Sequence, residues 1–128
     1  MNIIIVDDEF INRKFLETVL AKYGNCYMAE NGIEALELYN NLIKTEEKIS
    51  VIFLDLMMPK MSGYEVLEKI REIENEKKYE KTSIIVQTAA GEVENIEEAF
   101  KKGADSYLVK PIKKDAVIFE LEEMGIKL

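Results

Sequence analysis

Five short apolar runs, Ile3–Val6, Cys26–Ala29, Val51–Leu54, Ile84–Val86 and Tyr107–Val109, recur along the chain at intervals filled by stretches of a different rhythm. The runs are continuous rather than alternating, as expected of strands covered by helices on both faces of a parallel sheet. Between them, Ile11, Phe15, Val19 and Tyr23 repeat at the four-residue spacing of a helical stripe. Leu36, Tyr39 and Ile43 mark a second helix, Val66, Ile70 and Ile73 a third, Val93, Ile96 and Phe100 a shorter fourth, and Val117, Leu121 and Met124 a fifth. Asn31 with Glu34, and Ser62 with Glu65, carry the cap-plus-acid spacing of a helix start. Gly24 and Gly103 read as left-handed helix stops, and the charged stretch 72–81 as the solvated end of the third helix with its loop. The pattern predicts an α/β protein: five β-α units wound into one parallel sheet, a single domain over residues 1–128.

Composition narrows what such a domain can bind. With 128 residues, 48% hydrophobic and 33% charged, the chain is globular and large enough for a real core. A net charge of −8 excludes broad binding to a phosphate backbone, so no direct nucleic-acid partner is expected. Cys26 is the sole cysteine, which rules out an internal disulfide and reads as an inert buried thiol. The apolar run at residues 3–6 is too short for a signal peptide or a membrane span, so a cytoplasmic protein without membrane insertion is predicted. Histidine is absent, which removes histidine bases, histidine ligands and any internal phosphohistidine donor.

The chemistry sits where the runs end. The first leads into Asp7-Asp8, the third into Asp55, the fourth through Gln87 into Thr88, and the fifth into Lys110-Pro111. In open parallel sheets the binding crevice lies beyond the carboxyl ends of the strands, so these side chains should converge. One acid at such a place reads as a helix cap, and Asp8 or Glu9 could cap the first helix. An Asp pair with a third Asp at another strand end reads as a site for a hard cation such as Mg²⁺, because clustered carboxylates repel unless a cation offsets them. Asp55 at its strand end can act as a nucleophile. Lys110 can stabilise phosphoryl oxygens as a point charge, and Thr88 can donate a hydroxyl to one of them. Met57, Met58 and Met61 read as packing, and Pro59 and Gly63 as shapers of the loop after Asp55.

These motifs together, Val6-Asp7-Asp8, Leu54-Asp55 with Met58-Pro59 and Gly63, Thr88-Ala89, and Lys110-Pro111, resemble the receiver domain of two-component response regulators, over essentially the whole chain. The resemblance implies a flavodoxin-like sheet of strand order 2-1-3-4-5 with five helices. It implies Asp55 as phosphoacceptor, with Asp7, Asp8, Asp55 and the backbone carbonyl of Met57 holding Mg²⁺. Lys110 would pair with the acceptor and then the phosphoryl group, Thr88 would bond a phosphoryl oxygen, and Tyr107 is similar to the family's switch aromatic. Tyr107 reads equally as a half-buried strand tyrosine. The implied partners are a sensor histidine kinase or histidine phosphotransfer protein and a downstream protein target. Asn12-Arg13 looks like receivers attached to or fed by hybrid sensor kinases, and with the face around residues 93–102 would be a place for partner contact. Ser50 stands where the family often carries an acid.

The function implied is a phosphorylation switch that assists its own phosphorylation and dephosphorylation without turning over an external substrate. A phosphorylation-independent scaffold of the same fold is the alternative. A flavodoxin-like nucleotide or flavin binder fits less well, because Asp7-Asp8-Glu9 repels phosphate where that class needs a glycine- or hydroxyl-rich loop. A haloacid-dehalogenase-type phosphatase would place a second Asp where Met57 stands.

Overall fold

The computed structural model describes residues 1–128, the side chains of Val93 and Glu94 excepted. The elements alternate without interruption: β1 (Asn2–Val6), α1 (Phe10–Leu20), β2 (Asn25–Ala29), α2 (Gly32–Lys44), β3 (Ile49–Asp55), α3 (Gly63–Lys77), β4 (Ser83–Ala89), a 3-10 segment (Ala90–Asn95), α4 (Ile96–Lys101), β5 (Ser106–Lys110) and α5 (Lys114–Glu123). All neighbouring strands are parallel, in the order β2-β1-β3-β4-β5. The expected sheet and helix count are therefore present.

Strand alternation sorts the core into two layers. Ile4, Val6, Ile52, Leu54, Ile84 and Val86 face α2 and α3, where they meet Tyr39, Val66, Leu67 and Ile70. Their neighbours Ile3, Ile5, Val51, Phe53, Ile85 and Leu108 face α1 and α5, where they meet Leu16, Leu20, Val117 and Leu121. Both faces of each central strand are thus removed from water, which is why the strands read as unbroken apolar runs. The switch in strand order falls between β1 and β3, at the centre of the sheet, so their carboxyl ends open side by side.

Two helical expectations need correction. In α1 the buried residues are Arg13, Leu16, Val19 and Leu20, whereas Ile11 is 82% exposed and Phe15 only partly covered. The helix begins at the rim, beyond the sheet, so its first turn has no strand beneath it. The predicted stripe for α4 also weakens, since Phe100 is 41% exposed while Ile96 is buried; Val93 lies outside the described side chains. The caps behave as expected: Asn31 accepts from the Glu34 N–H at 3.0 Å and Ser62 from the Glu65 N–H at 3.3 Å. Gly103 adopts φ +109°, as a helix stop should. Gly24 does not sit in the left-handed region; a side chain there would fall 2.2 Å from the Met1 carbonyl oxygen.

The stretch 72–81 is only partly solvated. Glu74 is buried and accepts from Arg71 Nη1 and the Thr82 N–H, both at 2.7 Å. Arg71 also donates to the Thr82 carbonyl at 2.8 Å, to the Gly103 carbonyl and to Asp105 at 2.9 Å, tying α3 to the starts of β4 and β5. Glu74→Ala leaves a partly buried guanidinium and a buried backbone donor short of an acceptor, and is expected to lower stability by about 3 kcal/mol, measured from urea midpoints.

Candidate functional site

The strand register decides which side chains can meet. Val6 pairs with Leu54, Asp55 with Gln87, and Ala89 with Lys110, so the carboxyl ends of β1, β3, β4 and β5 lie on one rim. The alternation that places Ile5, Phe53, Ile85 and Leu108 on the α1/α5 face carries on to Asp7, Asp55, Gln87 and Lys110. Lys110 is two strands from Asp55, about 10 Å between backbones. A lysine stem covers that span, and Nζ reaches Asp55 Oδ2 at 3.1 Å, Asp7 Oδ2 at 3.2 Å and Glu9 Oε1 at 3.1 Å. The Lys110–Pro111 peptide is cis.

Asp7 and Asp55 are buried and Asp8 is exposed, and each offers a carboxylate oxygen within 4.8 Å of the others. Asp7 is held on several sides. Its Oδ1 accepts from the Glu9 N–H at 2.9 Å, its carboxylate accepts from the Asn12 amide, and its backbone carbonyl accepts from Arg13 Nη1 at 2.7 Å. Asp55 Oδ1 accepts from the Met57 N–H at 3.2 Å. The loop that follows doubles back tightly: the Gly63 N–H donates to the Leu56 carbonyl at 2.9 Å, and a Cβ on Gly63 would fall 2.2 Å from the Asp55 carbonyl oxygen. Glycine at 63 thus lets α3 start against the strand end that presents Asp55. Glu9 stands at the N-cap position of α1, yet its side chain caps nothing and turns to Lys110 instead.

The charges answer to this crowding. Burial, then the neighbouring Asp7 carboxylate, push the Asp55 carboxyl up to about 7, against the opposing pull of Lys110. Burial works against the Lys110 ammonium, but Asp55, Asp7 and Glu9 outweigh it and hold its pKa above the ordinary lysine value. Among the described residues the site therefore sets one cation, Lys110, against four carboxylates, Asp7, Asp8, Glu9 and Asp55, and has room for more positive charge. An open cleft of about 220 Å³ lies over it, lined by Asp8, Glu9, Asp55, Met57, Ala89, Glu92 and Lys110.

Five of the residues singled out in the sequence, Asp7, Asp8, Asp55, Met57 and Lys110, are brought together here. Thr88 and Tyr107 stand apart. Thr88 is buried at the next strand and its hydroxyl lies 3.4 Å from the Ala89 carbonyl and 3.5 Å from the Glu92 carbonyl. Tyr107 is 41% exposed, edge-on to Phe100 at 6.3 Å between ring centroids. Arg13, expected to face a partner, is instead buried against the Asp7 backbone. In sequence reasoning Gln87 has no role and Glu9 reads as a possible helix cap, not as a partner of Lys110. Gln87 carried a visible signal, a polar residue closing an apolar strand, and it is fully buried.

Rim, register and acid cluster together define a receiver domain, and the family model for the response regulator receiver domain matches residues 3–122. The chain belongs to that family, the receiver modules of two-component signalling. It is 38% identical over 123 residues to the transcriptional regulatory protein SrrA of Staphylococcus aureus, covering 95% of this chain and 46% of that protein. The chain thus spans about half the length of the curated relatives it matches. Among solved structures, the chemotaxis protein CheY4 of Vibrio cholerae superposes with a TM-score of 0.77 at 26% identity, covering 95% of this chain and 96% of that one. The receiver domain of Ssk1 of Saccharomyces cerevisiae, in co-crystals with the histidine phosphotransfer protein Ypd1, gives 0.83 at 28% identity over 98% of this chain and 88% of that one. Among the described residues no helix is long and apolar enough to cross a membrane.

The Asp55 carboxyl, raised when folded, holds its proton more tightly than an unfolded aspartate. Stability from this group is present in full below about pH 4 and is lost as pH rises toward 7. Without added divalent cation, Asp55→Asn is expected to remove that slope and to stabilise the protein at pH 8 by on the order of 2–4 kcal/mol. Thermal unfolding of both proteins at pH 4, 6 and 8 checks this; parallel curves would contradict it.

Proposed function

We propose that Asp55 is a phosphoacceptor, charged from a phosphohistidine on a partner protein in a Mg²⁺-dependent step, and that the resulting acyl phosphate switches a partner-binding face. The observation that carries this reading is the Lys110 ammonium standing 3.1 Å from Asp55 and 3.2 Å from Asp7 in an acid-lined cleft. An ammonium there stabilises whatever anion is built on Asp55, and a planar or polar cofactor finds no glycine-rich cradle beside it.

The donor set suits Mg²⁺: three hard carboxylates with ligand atoms within 4.8 Å, to which the Met57 carbonyl would add a neutral oxygen. Bound among Asp7, Asp8 and Asp55, the ion would offset their repulsion and the charge on the transferring oxygens. Asp55 has to be ionised to attack, and a cation in the site favours that form of a carboxyl otherwise pushed up to about 7. Its oxygen attacks phosphorus in line with the departing imidazole nitrogen. The O–P bond forms as the P–N bond breaks, and the nitrogen keeps the electron pair and takes a proton from solvent. Lys110 then turns from the carboxylate to the phosphoryl oxygens, a small movement that Glu9 guides from the mouth of the cleft.

Signalling would follow from Thr88. Among the described residues its hydroxyl has only long contacts, at 3.4 and 3.5 Å, so a phosphoryl oxygen on Asp55 competes easily for it. Drawing Thr88 over leaves space beside β5 for Tyr107, shifting an equilibrium of the α4–β5–α5 face. Moving that face from mostly inactive to mostly active requires roughly 3–5 kcal/mol of differential stabilisation. The Ssk1–Ypd1 complex supports a histidine phosphotransfer protein or a histidine kinase as the donor. The chain would turn over no external substrate, and its downstream protein target is set by whatever reads the switched face.

Incubation with acetyl phosphate and Mg²⁺ is expected to add one phosphoryl group, seen by intact mass. Asp55→Asn and chelation of the metal should each abolish it, and Lys110→Met should slow it about a hundredfold. Labelling of Asp55→Asn at the wild-type stoichiometry would overturn the assignment.

A further inference from the structure

We infer that Asn12 and Gln87 are positioning residues for the acid cluster: Gln87 fixes the Asn12 side-chain amide, and Asn12 fixes the Asp7 carboxylate in the orientation that a divalent cation meets. This rests on the function proposed above, but concerns residues outside the cleft itself.

The hydrogen bonds set the logic. Asn12 sits in the first turn of α1, and its Nδ2 has two protons. One goes to Asp7 Oδ2 and the other to Gln87 Oε1 at 2.8 Å, so the amide has no donor left over and no freedom to rotate. Asn12 turns its nitrogen and not its oxygen toward the Asp7 carboxylate oxygen. The second N–H then needs an acceptor, and Gln87 supplies one by presenting its oxygen. That choice sends Gln87 Nε2 into the protein interior without a hydrogen-bond partner among the described residues.

An unpartnered amide nitrogen at a fully buried strand position is a cost that leucine would not carry. Ile84, Ile85 and Val86 precede it, so apolar packing alone would continue the run. Retaining the amide there makes sense through Asn12. The gain lies in the lone pairs of Asp7. A carboxylate offers about four acceptor directions; here Oδ1 accepts from the Glu9 N–H and Oδ2 from Asn12, with the Lys110 ammonium 3.2 Å from Oδ2 as an ion pair. Asn12 and Lys110 crowd Oδ2, so Oδ1 keeps the more open side. Asn12 thereby holds a carboxylate that could swing in one orientation, with Oδ1 as its more open oxygen. Outer partners of this kind commonly change metal affinity by tenfold or more.

The test is Mg²⁺ titration of the full chain followed by amide NMR shifts, which report folding in the same spectra. Asn12→Leu keeps the volume and removes both donors; Mg²⁺ affinity is expected to fall about tenfold. Gln87→Leu should lower affinity about threefold while leaving the metal-free protein as stable as wild type or more so. The double variant should bind no more weakly than Asn12→Leu alone, because Gln87 acts through Asn12. If Asn12→Leu does not fold, Gln87→Leu decides. Affinities within twofold of wild type in folded variants would overturn the inference and leave the role of Asp55 standing. A wild-type spectrum indifferent to Mg²⁺ would overturn the proposed function and this inference with it, whereas loss of Asp55 labelling with Mg²⁺ binding intact would touch only the former.

Discussion

Lys110 lies 3.1–3.2 Å from Asp7, Glu9 and Asp55, so one ammonium faces three carboxylates at the rim of the sheet. Groups of like charge do not gather at this spacing by their own attraction, and burial of Asp7 and Asp55 makes the gathering dearer still. The opposing force comes from elsewhere. Two apolar layers, one under α2 and α3 and one under α1 and α5, hold β1 and β3 side by side at the centre of the sheet. Asp7 directly follows β1, and Asp55 is the last residue of β3. They are forced together because the strands that carry them are well buried.

Small devices then turn proximity into geometry. The Arg13 guanidinium on the Asp7 carbonyl fixes the turn that leaves β1, and the Asn12 amide one residue earlier fixes the carboxylate. Gly63 lets α3 begin against the backbone of Asp55, and the Met57 N–H holds one Asp55 oxygen. The remaining Asp55 oxygen faces Lys110. Each contact comes from an element whose position is set by the core, so the acids sit on rigid supports and only the lysine stem and the exposed Asp8 and Glu9 are free to adjust.

Legibility in the sequence follows from which force dominates a position. The strands were readable because burial on both faces leaves an unbroken apolar run, and the residue ending each run marked the rim. Asn31 and Ser62 were readable as caps because capping is local chemistry. Ile11 and Phe15 misled because periodicity reports that a helix has an apolar stripe, not whether a strand lies beneath that turn. Arg13 and Gln87 were harder in another way. Both are buried polar residues whose partners, the Asp7 carbonyl and the Asn12 amide, come from hydrogen bonds across elements that no spacing rule encodes. Glu74 belongs with them, a charge in an apparently solvated stretch that the fold closes over.

The raised Asp55 carboxyl and the proposed chemistry pull in opposite directions, and that tension is informative. A nucleophilic carboxylate must be ionised, while this environment, taken without added cation, pushes the Asp55 carboxyl up to about 7, so that it gives up its proton only around neutral pH. The same crowding that disfavours ionisation favours any divalent cation among the acids, and a phosphoryl group built on Asp55 would add further negative charge beside it. Binding free energies are reciprocal, so if the acyl phosphate tightens the hold on Mg²⁺ by some factor, Mg²⁺ favours the acyl phosphate by that same factor. On the proposed function, the electrostatic cost of the resting site would act as a coupling device. An acceptor that stayed comfortably ionised without metal would have less to gain from it, and its phosphorylation would depend less on the cation that positions the incoming group.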